Sequence, residues 1–214
     1  MTERPTGADT DIHQRLADLV AGQSVMGIFR ALGTGRTLEL ANRAWDLGID
    51  LVEVPVSEPE AWDTLEAVVA AGRERGRTVG AGTVVDSVQV ERCAEIGVGF
   101  TVAPGLDPEV VRASEQAGIP HLPGVATPSE VQQARRLGCL VLKAFPASVL
   151  GPEWFAAIHG PFPDLLLVAT GGVNASNAGD FLSAGAAMVA LGSAFADESQ
   201  LDAVAALTGT QKPR

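Results

Sequence analysis

Lysine is scarce in this chain of 214 residues. Only Lys143 and Lys212 are lysines, and the other thirteen of the fifteen basic residues are arginines. Lys143 lies in the apolar run Cys139–Phe145, which is typical of a strand buried on both faces. An amine in apolar surroundings loses its proton easily and can attack a carbonyl as a Schiff-base nucleophile, which a guanidinium cannot do. The alternative is a lysine that extends from the strand end to the surface.

Cysteine and histidine are also few. Cys93 lies in a helical pattern and Cys139 opens a strand, so we predict two core residues rather than a disulfide. His13, His121 and His159 have no Cys, Asp or Glu at metal-ligand spacing, and there is no P-loop or dinucleotide motif. We therefore predict no metal and no cofactor.

The chain also lacks a net positive charge and long apolar runs. The net charge is −11 and the pI is about 4.6, which argues against binding to nucleic acid or to anionic membranes. No apolar run reaches the length of a membrane span, and the first twenty-odd residues contain no signal-peptide core. These absences predict a soluble cytoplasmic protein, in which an anionic substrate would need a local positive site.

What the sequence does contain is a unit of strand, loop and amphipathic helix that repeats eight times. The predicted strands are Val25–Phe29, Leu51–Val56, Thr78–Ala81, Gly99–Ala103, His121–Pro123, Cys139–Phe145, Leu165–Ala169 and Met188–Leu191. The predicted helices are Arg36–Leu47, Glu58–Arg75, Ser87–Ile96, Pro108–Gln116, Pro128–Leu137, Pro152–Ile158, Ala175–Ser183 and Leu201–Ala206. Such units form a doubly wound sheet or a closed barrel. Eight apolar strands favour an α/β fold of the (β/α)8 TIM barrel type, with an extra helix near Asp9–Ala21. The predicted division is an N-terminal tail and helix (1–23), the barrel (24–208) and a C-terminal tail (209–214).

The carboxyl ends of the barrel strands carry the candidate site. Glu53 lies on an apolar strand and is either a general acid/base or the partner of a structural arginine. Arg30 ends the first strand and either binds a carboxylate or forms a surface salt bridge. Thr83 and Pro104 follow the third and fourth strands.

Two glycine-rich turns follow the seventh and eighth strands. They are Thr170-Gly171-Gly172 and Gly192-Ser193. Bare backbone N–H groups at this place in a barrel often hold a phosphate, although tight turns alone also need glycine. Because both turns carry the pattern, we favour a phosphate cradle.

Seven motifs in register resemble the 2-keto-3-deoxy-6-phosphogluconate (KDPG) and 4-hydroxy-2-oxoglutarate (KHG) aldolases of class I. The motifs run from about Val25 to Phe195 and are Glu53-Val54, Gly80-Ala81-Gly82-Thr83-Val84, Ala103-Pro104-Gly105, Pro123-Gly124-Val125-Ala126-Thr127, Lys143-Ala144-Phe145-Pro146-Ala147, Thr170-Gly171-Gly172 and Leu191-Gly192-Ser193.

The resemblance implies a metal-free (β/α)8 barrel, a homotrimer, and cleavage of KDPG to pyruvate and glyceraldehyde 3-phosphate in the Entner–Doudoroff route. It implies that Lys143 forms the Schiff base and that Glu53 is the acid/base. Arg30 and Thr83 would then hold the carboxylate and hydroxyl groups of the substrate, and Phe145 would stack on it. The phosphate would lie on Gly171, Gly172, Gly192 and Ser193.

One segment departs from the phosphogluconate type, which often reads Glu-Val-Thr-Leu-Arg. Here Glu53-Val54-Pro55-Val56-Ser57 looks more like the sister 2-dehydro-3-deoxy-6-phosphogalactonate aldolases, whereas Thr170 looks phosphogluconate-like. The preference between the C4 epimers stays open at this point. A phosphosugar isomerase or epimerase and a non-catalytic phosphosugar-binding barrel also remain alternatives, since one fold hosts many functions.

Overall fold

The structure is a computed structural model and describes residues 7–195 and 197–208. The predicted C-terminal tail (209–214) and most of the predicted N-terminal tail lie outside the described residues. The described chain begins with the extra helix expected from the sequence, α1 (Gly7–Val20).

The strands form one parallel sheet that closes on itself as a barrel. Its described segments are β1 (Val25–Ile28), β2 (Leu51–Pro55), β3 (Thr78–Gly82), β4 (Phe100–Val102), β5 (His121–Leu122), β6 (Gly124–Val125), β7 (Val141–Ala144), β8 (Leu166–Ala169) and β9 (Met188–Leu191). The order runs from β5 through β1 and β9 to β6. Only Pro123 separates β5 from β6, so these two segments are one interrupted strand whose halves pair with β4 and β7. The predicted (β/α)8 barrel is confirmed.

Helices alternate with the strands around the outside. They are α2 (Thr34–Asp46), α3 (Ala61–Glu74), α4 (Ser87–Ile96), α5 (Pro108–Gln116), α6 (Pro128–Arg136), α7 (Ala147–Leu150), α8 (Pro152–His159), α9 (Ala178–Ser183) and α10 (Leu201–Thr208). The caps follow from the sequence: Asp86 and Asp107 accept hydrogen bonds from the first turns of α4 and α5, and Thr127 and Glu130 form a capping box on α6.

Several details differ from the prediction, among them the start of α9, which is Ala178 rather than Ala175. The fifth strand is split, because Pro123 has no N–H to donate to a sheet ladder. The one-turn helix α7 was missed, since four residues are too few to show helical periodicity. The helix α3 begins at Ala61 rather than Glu58.

Two apolar cores hold the barrel together. The outer core lies between the strands and the helices. The inner core fills the barrel with side chains such as Met26, Phe100 and Val168, and Leu16 and Val20 of α1 pack against it. Thus α1 covers one end of the barrel and leaves the other for the site.

Cys93 and Cys139 are both buried and unpaired, as predicted, and burial raises the pKa of each thiol to about 12. Among the described helices, none is long and apolar enough to cross a membrane.

Candidate active site

Lys143 and Glu53 point into the barrel from opposite parts of the sheet. Lys143 lies on β7 and is 4% exposed, and Glu53 lies on β2 and is 1% exposed. Side chains alternate between the two faces of a strand, so the neighbours of an inward residue face outward. Those neighbours do pack in the outer core: Val52, Val54, Leu142 and Ala144. The lysine is therefore an interior residue and does not extend to the surface.

Burial pushes both groups towards their neutral forms. Desolvation raises the pKa of Glu53, opposed by the positive charges of Lys143 and Arg30. Desolvation also lowers the pKa of Lys143, opposed by Glu53 and assisted by Arg30. A neutral amine beside a protonated carboxyl is a nucleophile paired with an acid.

The Glu53 carboxyl group has unused hydrogen-bonding capacity. Both of its oxygens are buried, and neither has a hydrogen-bond partner among the described residues. A structural carboxylate would normally be satisfied by its surroundings, because an unpaired buried polar group is costly. An unpartnered acid in a site is instead available to a substrate or a water.

Gly82 provides the space for that carboxyl group. A Cβ atom added at Gly82 would overlap the side chain of Glu53. It would lie 2.9 Å from the Cγ atom of Glu53 and closer still to the carboxyl group. The sequence shows Gly82 only as part of a loop motif, and its steric role becomes visible when β2 and β3 are paired, with Pro55 opposite Gly82.

Phe145 covers the amine. The Nζ atom of Lys143 lies 5.1 Å from the centre of the Phe145 ring. This contact places an aromatic face beside the predicted nucleophile and helps to keep water from it.

Arg30 joins the ends of three neighbouring strands at the rim. Its Nη1 atom donates to the Ser57 hydroxyl at 2.8 Å, and its Nη2 atom donates to the Thr83 hydroxyl at 3.3 Å. Thr83 follows β3 with a positive φ of 61°, a strained backbone for a β-branched residue. The salt bridge considered as the alternative role of Arg30 is not found with any described carboxylate.

The turn after β8 lies against the segment after β7. The Ser148 N–H donates to the Gly171 carbonyl at 3.0 Å, and a Cβ at Gly171 would lie 2.9 Å from the Phe145 ring. The Asn177 amide donates to the Gly172 carbonyl at 3.1 Å, which fixes the turn. The turn is thus packed closely against the Lys143 segment.

Thr170 precedes this turn and is 4% exposed. Its hydroxyl is buried without a described partner. The last predicted turn is also at this end of the barrel: a Cβ at Gly192 would lie 2.8 Å from the Ile28 carbonyl, and Ser193 is exposed.

Pro104 is exposed at the end of β4. A Cβ at Gly124 would overlap its carbonyl, so Gly124 permits this close approach. Glu53 lies in the middle of β2 and Lys143 lies within β7, and the other predicted site residues follow the carboxyl ends of their strands. The sequence interpretation missed Ser57, the steric role of Gly82, and Asn177, whose only signal was its position in the loop after the glycine pair.

A (β/α)8 barrel with a buried amine and an unpartnered buried carboxyl at its carboxyl end defines a class of enzyme built for carbonyl chemistry. The comparisons with known proteins agree. The profile of the KDPG and KHG aldolase family matches residues 18–208. The chain belongs to the KDPG and KHG aldolase family and is a carbon–carbon lyase.

Individual relatives differ in the substrate for which they are named. The chain is 35% identical over 170 residues, 79% of this chain and 80% of the relative, to a probable 2-dehydro-3-deoxy-6-phosphogalactonate aldolase of Rhizobium meliloti. It is 42% identical over 106 residues, 49% of this chain and 48% of the relative, to a 2-dehydro-3-deoxy-phosphogluconate aldolase of Pseudomonas aeruginosa. A solved KDPG aldolase from Legionella pneumophila, with pyruvate captured as a covalent carbinolamine, has a TM-score of 0.77 and 28% identity over 89% of this chain and 94% of that chain.

Proposed function

We propose that this enzyme is a Schiff-base aldolase that cleaves 2-keto-3-deoxy-6-phosphogluconate to pyruvate and glyceraldehyde 3-phosphate. The observation that supports this most is the buried pair of Lys143 and Glu53, whose pKa values are displaced by burial towards a neutral amine and a neutral carboxyl group. The Legionella relative, in which pyruvate was captured as a carbinolamine, supports the same chemistry.

The mechanism begins with the Lys143 amine. Its lone pair attacks the C2 ketone to give a carbinolamine. The protonated Glu53 carboxyl group donates its proton to the carbinolamine hydroxyl, which leaves as water, so that an iminium and a Glu53 carboxylate are formed together. Glu53, directly or through a water, removes the proton of the C4 hydroxyl. The C3–C4 bond then breaks, its electrons pass into the iminium to form an enamine, and glyceraldehyde 3-phosphate leaves.

The second half regenerates the enzyme. Glu53 returns a proton to C3 of the enamine, which gives the iminium of pyruvate. Water hydrolyses this iminium and releases pyruvate and the free amine. The unpartnered oxygens of Glu53 suit a group that must exchange protons twice in one cycle.

Binding is assigned to both ends of the substrate. Arg30 and Thr83 hold the pyruvyl carboxylate, Phe145 and Pro104 contact the carbon chain, and Gly171, Gly172, Gly192 and Ser193 cradle the phosphate. Phosphate binding far from the broken bond would orient that bond.

Reduction with borohydride in the presence of pyruvate tests the nucleophile. We expect a reduced pyruvyl adduct on Lys143, located by peptide mass, and none on Lys212, which serves as the internal control. Lys143→Arg should fold normally and lose turnover, because arginine offers no neutral amine. An adduct on Lys212 alone, or on neither lysine, would refute the Schiff-base assignment.

The second candidate substrate is the C4 epimer, 2-keto-3-deoxy-6-phosphogalactonate. The Rhizobium meliloti relative named for it matches 79% of the chain, and Ser57 and its neighbours resemble that type. Retro-aldol assays of both epimers, run side by side on the parent and on Thr170→Val, test the choice. A large preference of the parent for phosphogalactonate would replace the first proposal by the second.

A homotrimer and a cytoplasmic location belong to the same proposal. The homotrimer is proposed from membership of the KDPG and KHG aldolase family. Light scattering after size exclusion should give three times the chain mass of 22.1 kDa, and a monomer would contradict the proposal.

A further inference from the structure

Arg30 is held at the rim by hydroxyl groups alone. Its two described side-chain hydrogen bonds go to Ser57 and Thr83, and no described carboxylate forms an ion pair with it. A hydroxyl oxygen accepts a hydrogen bond without neutralising the guanidinium. The arginine is therefore oriented and keeps its full charge for an anion.

The position of Ser57 follows from strand pairing. The Val56 N–H donates to the Gly82 carbonyl at 2.8 Å, so the pairing of β2 with β3 extends beyond Pro55 up to the residue before Ser57. On the other side, the Phe29 N–H donates to the Glu53 carbonyl at 3.0 Å, which brings Arg30 to the level of the buried acid. The hydrogen-bonded pairing of β2 with β3 therefore fixes the position of Ser57 beside Arg30.

The guanidinium has donors left over. It carries five N–H groups, and the two hydroxyls use two of them. The geometry leaves a fork that suits a carboxylate, whose two oxygens can accept in parallel. Arg30 directly follows Phe29, whose N–H donates to the Glu53 carbonyl, and its positive charge lowers the pKa of both Glu53 and Lys143.

We propose that Ser57 is a positioning residue that orients Arg30 for the carboxylate end of the substrate. This inference rests on the proposed function. It assigns to Ser57 a role that the comparisons do not give, in the segment that departs from the phosphogluconate-type pattern. Ser57 does not touch the reacting atoms and acts through Arg30.

The condensation direction separates the two ends of the substrate, because pyruvate carries the carboxylate and glyceraldehyde 3-phosphate carries the phosphate. We expect Ser57→Ala to raise the KM for pyruvate about three- to tenfold, the size of one ordinary hydrogen bond, because Arg30 keeps its charge and its hydrogen bond to Thr83. The KM for glyceraldehyde 3-phosphate and kcat at saturation should stay near the parent values. Ser57→Thr should restore the KM for pyruvate, because it keeps the hydroxyl.

Ser183→Ala is the matched control, since Ser183 is an exposed serine at the far end of α9 and should change neither KM. Melting temperatures check that each variant folds. A rise in the KM for glyceraldehyde 3-phosphate in place of pyruvate, or no change in either, would overturn the proposal.

Borohydride trapping separates failure of this inference from failure of the proposed function. If the parent gives no pyruvyl adduct on Lys143, the proposed function fails. If the parent is trapped and Ser57→Ala needs the same pyruvate concentration for half-maximal trapping, only the role of Ser57 fails.

Discussion

Replacing Glu53 by glutamine separates a catalytic carboxyl from a structural one. Glutamine has nearly the shape of glutamate but cannot carry a proton between atoms. Since a positioned acid/base contributes about 10²- to 10⁴-fold, we expect turnover of Glu53→Gln to fall by that factor.

The expected change in stability comes from the surroundings of Glu53. Its carboxyl group is 1% exposed, lacks a described hydrogen-bond partner, and has its pKa raised by burial, so the fold already favours the neutral form. A neutral amide in that place should change the free energy of unfolding by less than about 1–2 kcal/mol. Loss of a structural buried ion pair would instead cost about 3–5 kcal/mol, which corresponds to a drop in Tm of about 6–20 °C for a chain of this size.

The assay pairs thermal unfolding with steady-state rates for the parent and Glu53→Gln. Trapping on Lys143 adds a third readout. Where Glu53 is ionised, its negative charge raises the pKa of Lys143, so over that pH range its replacement should shift the pH profile of pyruvate trapping to lower pH. Trapping should slow without disappearing. A large fall in Tm with a nearly normal rate per folded molecule would show that Glu53 is structural and that another residue is the acid.

Three further predictions concern space, charge and pH. Gly82→Ala should lower kcat more than it raises any KM, because the added methyl group displaces the Glu53 carboxyl group; a rate unchanged from the parent would contradict this steric role. Gly172→Glu should remove the preference for phosphorylated over unphosphorylated substrate by filling the cradle and adding negative charge; a parent that cleaves both equally would count against the cradle. Burial of His121 lowers the pKa of its ring from 6.5 to about 4, so its neutral form is favoured in the fold and stability should decline as the pH falls from about 6.5 to 4. This pKa difference corresponds to a loss of up to about 3 kcal/mol in the free energy of unfolding between pH 6.5 and 4. When the free energy of unfolding is measured with urea at a series of pH values, His121→Asn should reduce its decline over this range. A decline as steep as in the parent would contradict the prediction.

Local signals in the sequence were sufficient for most elements. The helices Ser87–Ile96 and Pro108–Gln116 begin and end where they were predicted, because an aspartate caps each one and its apolar positions recur with a helical period. The strand Met188–Leu191 also matches, as a short apolar run between turn residues. Pro123 was predicted to end a strand, but the chain pairs with β4 before it and with β7 beyond it, at Gly124 and Val125.

For the site, the order of the amino acids was enough to predict that a lysine and a glutamate lie on apolar strands and that glycine-rich turns follow two others. Those are statements about one residue and its neighbours along the chain. The folded barrel brings Ser57 and Thr83 to the guanidinium of Arg30 and places Gly82 against the side chain of Glu53, and the sequence indicates neither contact. The two hydrogen bonds of Arg30 join residues that are 27 and 53 positions apart in the chain. The contact of Gly82 with Glu53 depends on side-chain volume between two paired strands. They exist only once closure of the barrel has set the register, and no local pattern encodes which residues will then be neighbours.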